Sequence, residues 1–353
     1  MKRSIKILLL FLVFATAFSS CSTKVDLYAG YKDIPVVYGL IDVTQDTNYV
    51  KIIRAFSGSD DASINAEEVA MIPDSNNYPG KLDVRFYEYR CRETGSSYSP
   101  TGRVIVLDTI TIHSKVPGSF YYPDQKVYYT TERFNADEQE GHSRYKYKYR
   151  LEIVKGNDTI SSETSLVGGD GFRITTINVD FVPTSEAQSK ITFFSAANAY
   201  LYEISMEFNY KEKHPHQDTI CKKVEWSLGT YHYNELHCTE YSTSKQYDLP
   251  YNHATLFNLL SSRIGGDTLN VTRIIGDFNI KIAAGGNELY NYIQVNEPSS
   301  SFAQNVSDYT NIAGGYGVLS SRINISKKVN LSANTITTLI DNSGWGFKQD
   351  LGK

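Results

Sequence analysis

Nine consecutive residues constrain the fold more than any other part of this chain. In Tyr145-Lys146-Tyr147-Lys148-Tyr149-Arg150-Leu151-Glu152-Ile153 every odd position is aromatic or aliphatic and every even position is charged. That is period two without a fault, the mark of a strand with one face in a core and one in water. The run Tyr200 to Tyr210 repeats it, with Tyr200, Tyr202, Ile204, Met206, Phe208 and Tyr210 on one side and Leu201, Glu203, Ser205, Glu207 and Asn209 on the other. No amphipathic helix of comparable length alternates with these segments, so a parallel α/β sheet is disfavoured.

Other stretches fit the same class. Val36–Val43 and Tyr49–Phe56 flank Gln45-Asp46-Thr47 and predict a hairpin. Shorter strands are expected over Leu82–Arg90, Arg103–His113, Lys126–Thr131, Thr159–Leu166, Ile191–Phe194, Val224–Leu228 and Phe278–Ala283. With 27 Tyr and 16 Phe, the composition favours side chains suited to a pleated, half-buried surface. Two short helices interrupt the pattern. One covers Ala254–Ile264, with Asn252 as N-cap and Gly265-Gly266 as its stop. The other covers Asn287–Val295, with Leu289, Tyr292 and Ile293 as its buried stripe. The expected fold class is therefore all-β with minor helices, arranged as two antiparallel β-sandwich (Ig-like) domains, the second carrying the helices.

The N-terminus sets the compartment. Lys2, Arg3 and Lys6 precede an apolar run from Ile7 to Phe18 and a small pair, Ser19-Ser20, before Cys21. This is a signal peptide over residues 1–20. The run is shorter than the roughly 20 residues of a membrane span. Cys21 resembles the lipobox cysteine of bacterial lipoproteins, which implies cleavage there, diacylation of its thiol and a lipidated tether over 21–30. Removing the leader takes the 35 basic side chains to 32 against 39 acidic ones, a net charge of −7. An acidic surface argues against nucleic acid or anionic headgroups as partners.

The mature length suggests two domains. The least periodic stretch, Thr175–Lys190, divides an N-terminal domain at 31–180 from a C-terminal domain at 186–345. Export permits disulfides, and Cys221 with Cys238 is the pair closing a short loop, leaving Cys91 alone at a strand end. Such a bridge would draw His214 and His216 towards His232 and His237. Four gathered imidazoles would be candidate ligands for zinc or copper, against the plainer reading of solvated loop histidines and no cofactor. No G-x-S-x-G elbow, H-E-x-x-H, P-loop or dinucleotide fingerprint occurs, so no catalytic residue is nominated. The expectation is a binding protein and not an enzyme.

Near the C-terminus, Glu288-Leu289-Tyr290-Asn291-Tyr292-Ile293 precedes Tyr309-Thr310-Asn311-Ile312-Ala313-Gly314-Gly315-Tyr316-Gly317-Val318-Leu319. Together with Val36-Val37-Tyr38-Gly39-Leu40-Ile41, these residues resemble the closing and opening motifs of a Bacteroidetes cell-envelope lipoprotein family of unknown function, the DUF4249-type lipoproteins. The resemblance implies an outer-membrane, lipid-anchored protein of the kind often found beside TonB-dependent transporters. It transfers no catalytic residue. On this basis the chain is expected to be an accessory that binds a carbohydrate or peptide for such a transporter, with a structural or adhesive envelope role as the alternative and a hydrolase without a recognisable motif as a further one. Trp226 is a candidate for ligand stacking, and Asn311 and Tyr316 for docking in the glycine-rich segment. That segment has a plainer reading as a corner before the last strand. The residues after Cys21 carry a single acid, Asp26, and do not decide which face of the membrane the protein meets.

Overall fold

In the computed structural model the chain is described over residues 33–349, apart from 56–65, 73–75, 123, 141–142, 170, 184–187, 242–243, 265–269, 297–308 and 343. The leader, Cys21 and the tether lie outside the described residues, as do Gly265-Gly266. No helix among the described residues is long and apolar enough to cross a membrane.

The N-terminal part is β1 (Pro35–Asp42), β2 (Asn48–Arg54), α1 (Ala66–Ala70), β3 (Asp83–Arg92), β4 (Ser99–Val106), β5 (Asp108–Ile112), β6 (Gln125–Thr130), β7 (Asp137–Glu140), β8 (Ser143–Lys155) and β9 (Asp158–Ser165). Then come the short β10 (Arg173–Ile174) and β11 (Asn178–Val179), followed by β12 (Gln188–Phe194), β13 (Leu201–Lys213), β14 (Ile220–His232), β15 (His237–Glu240) and β16 (Lys245–Asn252). The chain ends with α2 (His253–Arg263), β17 (Thr272–Gly285), α3 (Asn287–Asn296), β18 (Tyr316–Leu331), α4 (Ala333–Asp341) and β19 (Phe347–Lys348). The fold is all-β with minor helices, in mostly antiparallel sheets that do not close into a barrel.

The two alternating runs lie inside β8 and β13, and their apolar faces are buried from Tyr147 to Ile153 and from Tyr202 to Tyr210. The expected Arg103–His113 strand is in fact two. Buried Leu107 separates β4, which pairs with β3, from β5, which pairs with β6 in a different sheet. Asn252 caps α2 as expected, its side chain accepting from the Thr255 N–H at 3.1 Å. The stripe expected on α3 is not buried: Leu289, Tyr292 and Ile293 are only half-covered.

A ten-stranded sheet runs β14-β13-β17-β18-β1-β2-β6-β5, with β11 beside β18 and β19 beside β17. Its strands come from both sides of Thr175–Lys190. The seam is β1 against β18, parallel, from Val36↔Tyr316 to Asp42↔Arg322. A five-stranded sheet, β4-β3-β8-β7 with β9 beside β8, covers one half of the large sheet, and a four-stranded sheet, β10-β12-β16-β15, covers the other. Leu319 enters the first core and Ile323 the second. Residues four apart on a strand share a face, so both small sheets cover the same face of the large one. The segment expected to be a linker is packed, with Val179 and Phe181 fully buried and Asn178 paired with Asn330.

Asp42 pairs with Arg322, Arg322 with Gly285, Gly285 with Leu201, and Leu201 with His232. These five residues form one row across the large sheet. Pro35, where the described chain enters β1, is seven strand residues from Asp42, roughly 23 Å away.

Candidate functional site

A recess opens at the β13–β14 end of that row. Between β12 and β13 the backbone turns through Ser195–Tyr200. Asn198 adopts a left-handed φ of 58°, a conformation Asn tolerates better than most residues, and its amide donates to the Leu166 carbonyl at 2.8 Å. The Ser195 N–H donates to Lys245 O at 2.8 Å and the Tyr200 N–H to Gly285 O at 2.8 Å, which fixes both ends of the turn. Buried Tyr202 forms the floor. Its hydroxyl accepts from the Ala196 N–H at 3.2 Å, and burial pushes the phenol's pKa well above its ordinary value.

One wall is aromatic. The 3₁₀ turn Tyr233–Glu235 follows β14, and the Glu235 carboxylate accepts from the His232 N–H at 2.7 Å. The Tyr233 N–H donates to Tyr200 O at 3.0 Å, which brings the two rings edge to face with centroids 5.7 Å apart. His232 lies 4.4 Å from Tyr233 and 4.4 Å from Tyr290 of α3, extending the aromatic rim. Opposite stand Tyr241, 5.9 Å from Phe194, and the Lys245–Glu240 ion pair at 3.0 Å. The five-stranded sheet supplies Glu93 and Arg144, joined by a bond from the Glu93 N–H to Arg144 O at 2.8 Å. The cavity between these walls is about 820 Å³ and open to solvent.

Its lining offers ring faces, hydroxyls and balanced charges. Tyrosine presents a flat apolar face and a polar rim at low conformational cost. Tyr200 and Tyr241 are 37% and 52% exposed, so their faces are free to meet a ligand. Two carboxylates and two cations share the lining, which leaves the recess without net charge. Glu93 and Glu240 are both exposed, and neither stands in the apolar pocket that a general-acid carboxyl uses.

The residues nominated from sequence fall elsewhere. Cys221 and Cys238 are both free and exposed, and the expected bridge is absent. Cys221 starts β14 and pairs with Lys211, whereas Cys238 is in β15 and pairs with Tyr247 in the four-stranded sheet. Eleven residues of extended strand carry the chain roughly 35 Å from Cys221 to His232. The six residues that follow can return at most about 20 Å. The thiols therefore stay more than about 10 Å apart, beyond the ~7 Å Cα separation a disulfide spans. What the spacing suggested was a short loop is a strand.

The same geometry divides the histidines. His214 and His216 occupy the β13–β14 turn, while His232 ends β14 and His237 starts β15. His214 is 3.7 Å from Glu212 and His237 is 3.9 Å from Asp248. The four imidazoles are not gathered, and no group of three or more potential ligands occurs among the described residues.

Trp226 is half-buried and packs edge to face on Tyr251 at 6.3 Å, away from the recess. Asn311 has a structural task. Its amide donates to Leu319 O at 2.7 Å and accepts from the Leu319 N–H at 2.9 Å, replacing strand pairing where β17 has already ended. Tyr316 is 48% exposed and lines a separate hollow of about 590 Å³ with Asp33, beside the start of the described chain. Tyr233, Tyr241, Glu93 and Arg144 were not singled out from the sequence. The tyrosine density around 231–241 was the one signal available, because no periodicity joins residues in different sheets. No family model matches the chain, and no curated protein matches it either.

Proposed function

We propose that this chain is a noncatalytic, lipid-anchored envelope protein that captures a ligand in the tyrosine-walled recess and serves an outer-membrane transporter. The observation that carries this reading is the convergence of Tyr200, Tyr233 and Tyr241 on one concave, charge-balanced cavity of about 820 Å³, within the roughly 300–1,000 Å³ of small-molecule sites. The lipobox-like Cys21 supports the anchor. The motifs at 36–41 and 288–319 support a place beside TonB-dependent transporters. The position of the recess agrees with that role: it lies on the row through Leu201 and His232, and the chain enters from the tether side at the opposite end of β1. Along the strands that row lies roughly 23 Å from Pro35, where the described chain enters β1.

Three measurements test the reading. Radiolabelled palmitate is incorporated by the wild type and not by Cys21→Ala. Crosslinked protein pulled down from its native envelope brings a β-barrel transporter with it, and repeated recovery of none removes the accessory role. Protease shaving of intact cells degrades the chain if it faces outward, whereas full protection places the recess in the periplasm and ends its use for external ligands.

A structural or adhesive role has one observation of its own. Eight tyrosines, among them Tyr128, Tyr147, Tyr149 and Tyr202, are spent in the two cores. The shared sheet ties those cores into a scaffold, and tyrosine abundance by itself therefore says little about ligands.

A further inference from the structure

We infer that the recess takes a neutral oligosaccharide, an inference that rests on the ligand-capture reading above and names its ligand. Three features of the lining select this chemistry. Glu93 and Glu240 are balanced by Arg144 and Lys245, so neither an anionic nor a cationic ligand gains from the field of the site. Tyr200, Tyr233 and Tyr241 offer ring faces and hydroxyls together, and a pyranose has the matching pair of surfaces: an apolar C–H face for the ring and hydroxyls around its edge for polar partners. The charged side chains at the rim are mostly exposed, free to turn towards a hydroxyl as donor or acceptor.

Competing ligand classes match less well. An acyl chain would have to cover Glu93, Arg144, Glu240 and Lys245 and leave them without water, at a cost per buried charge that its own apolar burial does not offset. An extended peptide is held chiefly by pairing its backbone to a free strand edge. The strand at this edge of the four-stranded sheet is β15, four residues long and too short to supply a register, and no residue of β14, the free edge of the large sheet, lines the recess. A sugar chain needs no such edge. It needs platforms at intervals, which the rings of Tyr241 on one side and Tyr200 and Tyr233 on the other provide.

The test uses the full chain solubilised in detergent, with saturation-transfer NMR and intrinsic fluorescence titration against five probes. These are neutral hexasaccharides of glucose, of mannose and of galactose, an acidic oligogalacturonate, and an uncharged hexapeptide. At least one neutral hexasaccharide is expected to saturate. Its binding is expected to weaken about five- to tenfold in Tyr233→Ala and again in Tyr241→Ala, and to stay within about twofold in Tyr233→Phe, which keeps the ring face. Tyr122→Ala, exposed and outside the recess, leaves binding unchanged. Far-UV circular dichroism confirms that each variant is folded. The inference is overturned if no neutral hexasaccharide saturates, or if saturation persists undiminished in both alanine variants. Saturation by the peptide or the oligogalacturonate alone, lost in Tyr233→Ala, removes the oligosaccharide and keeps the recess as a binding site. If none of the probes binds, the oligosaccharide is again removed, and the capture reading is then decided separately by the reactivity of the same tyrosines in intact envelopes.

Discussion

Gly317→Ala should be among the most damaging single-methyl changes in this molecule. Gly317 is paired with Val37 in the parallel seam between β18 and β1, and its φ is +109°. A side chain there occupies a backbone region nearly closed to L-residues, which costs on the order of 1–3 kcal/mol. The added carbon would also stand 2.0 Å from Val37 O and 2.9 Å from its carbonyl carbon. Both are backbone atoms, so relief requires β1 to move away from β18, and with it the hydrogen bonds that join the two halves of the large sheet. We expect a loss of at least about 3 kcal/mol once seam bonds worth about 1 kcal/mol each are disturbed. Urea unfolding followed by circular dichroism and by tyrosine fluorescence measures it. Gly80→Ala is the control, with no heavy atom within 4 Å of the added carbon and an expected change within about 0.5 kcal/mol. A Gly317→Ala midpoint indistinguishable from wild type would refute the seam as described, because no relaxed arrangement accommodates a methyl group 2.0 Å from a carbonyl oxygen.

Other outcomes follow from the same structure. The Glu207 carboxyl is lowered to about 2, chiefly by the hydrogen bond from Lys281 working against burial, with Asn209 and Lys223 assisting. Its folded value lies below the ordinary 4.5, so the stabilisation is complete above pH 4.5 and is lost as pH falls towards 2. Both lysines are partly solvated, which reduces the effect to about 1 kcal/mol, read as the extra loss of melting stability between pH 5 and 3 that the wild type shows and Glu207→Gln does not. Native thiol titration should modify Cys221 and Cys238 at once and Cys91 only on unfolding; neither Cys221 nor Cys238 reacting, in the native or the unfolded chain, would restore the bridge. A fragment of residues 31–180 should fail to fold cooperatively, since it lacks Ile312 and Leu319 of its own core and the β18 partner of β1, and a sharp calorimetric transition from that fragment would contradict the shared sheet.

Local period carried most of what the sequence revealed. β8 and β13 were legible because each alternates over a length that only a half-buried strand explains, and the α2 cap was legible because Asn252 precedes an apolar helical face. β18 was anticipated only as a last strand without bounds after the glycine corner, although it is the longest strand among the described residues. Its run from Tyr316 to Leu331 changes neighbours along its length: Gly317, Val318, Leu319, Ser320 and Ser321 are all covered, and a strict alternation appears only beyond Arg322. α4 was hidden by its threonines, which are indifferent helix formers and are held there by the Ser332 cap and by Thr335 bonded to Phe181. The recess was the least legible of all. Arg144 and Glu240 line one recess only because two small sheets cover one face of a third, and no residue spacing encodes that. The cysteine and histidine pairings failed for the converse reason, since closeness along the chain is erased when the intervening residues form a strand.

The most direct test of the capture reading is the reactivity of the recess in place. Tyrosine nitration by tetranitromethane, mapped by mass spectrometry, is compared between the purified full chain and the same chain in intact envelopes. Tyr241 and Tyr200 should be nitrated in the purified protein and protected in the envelope, while Tyr122 and Tyr49, exposed elsewhere, react equally in both. Equal nitration of the recess tyrosines in the two preparations would contradict an occupied ligand site.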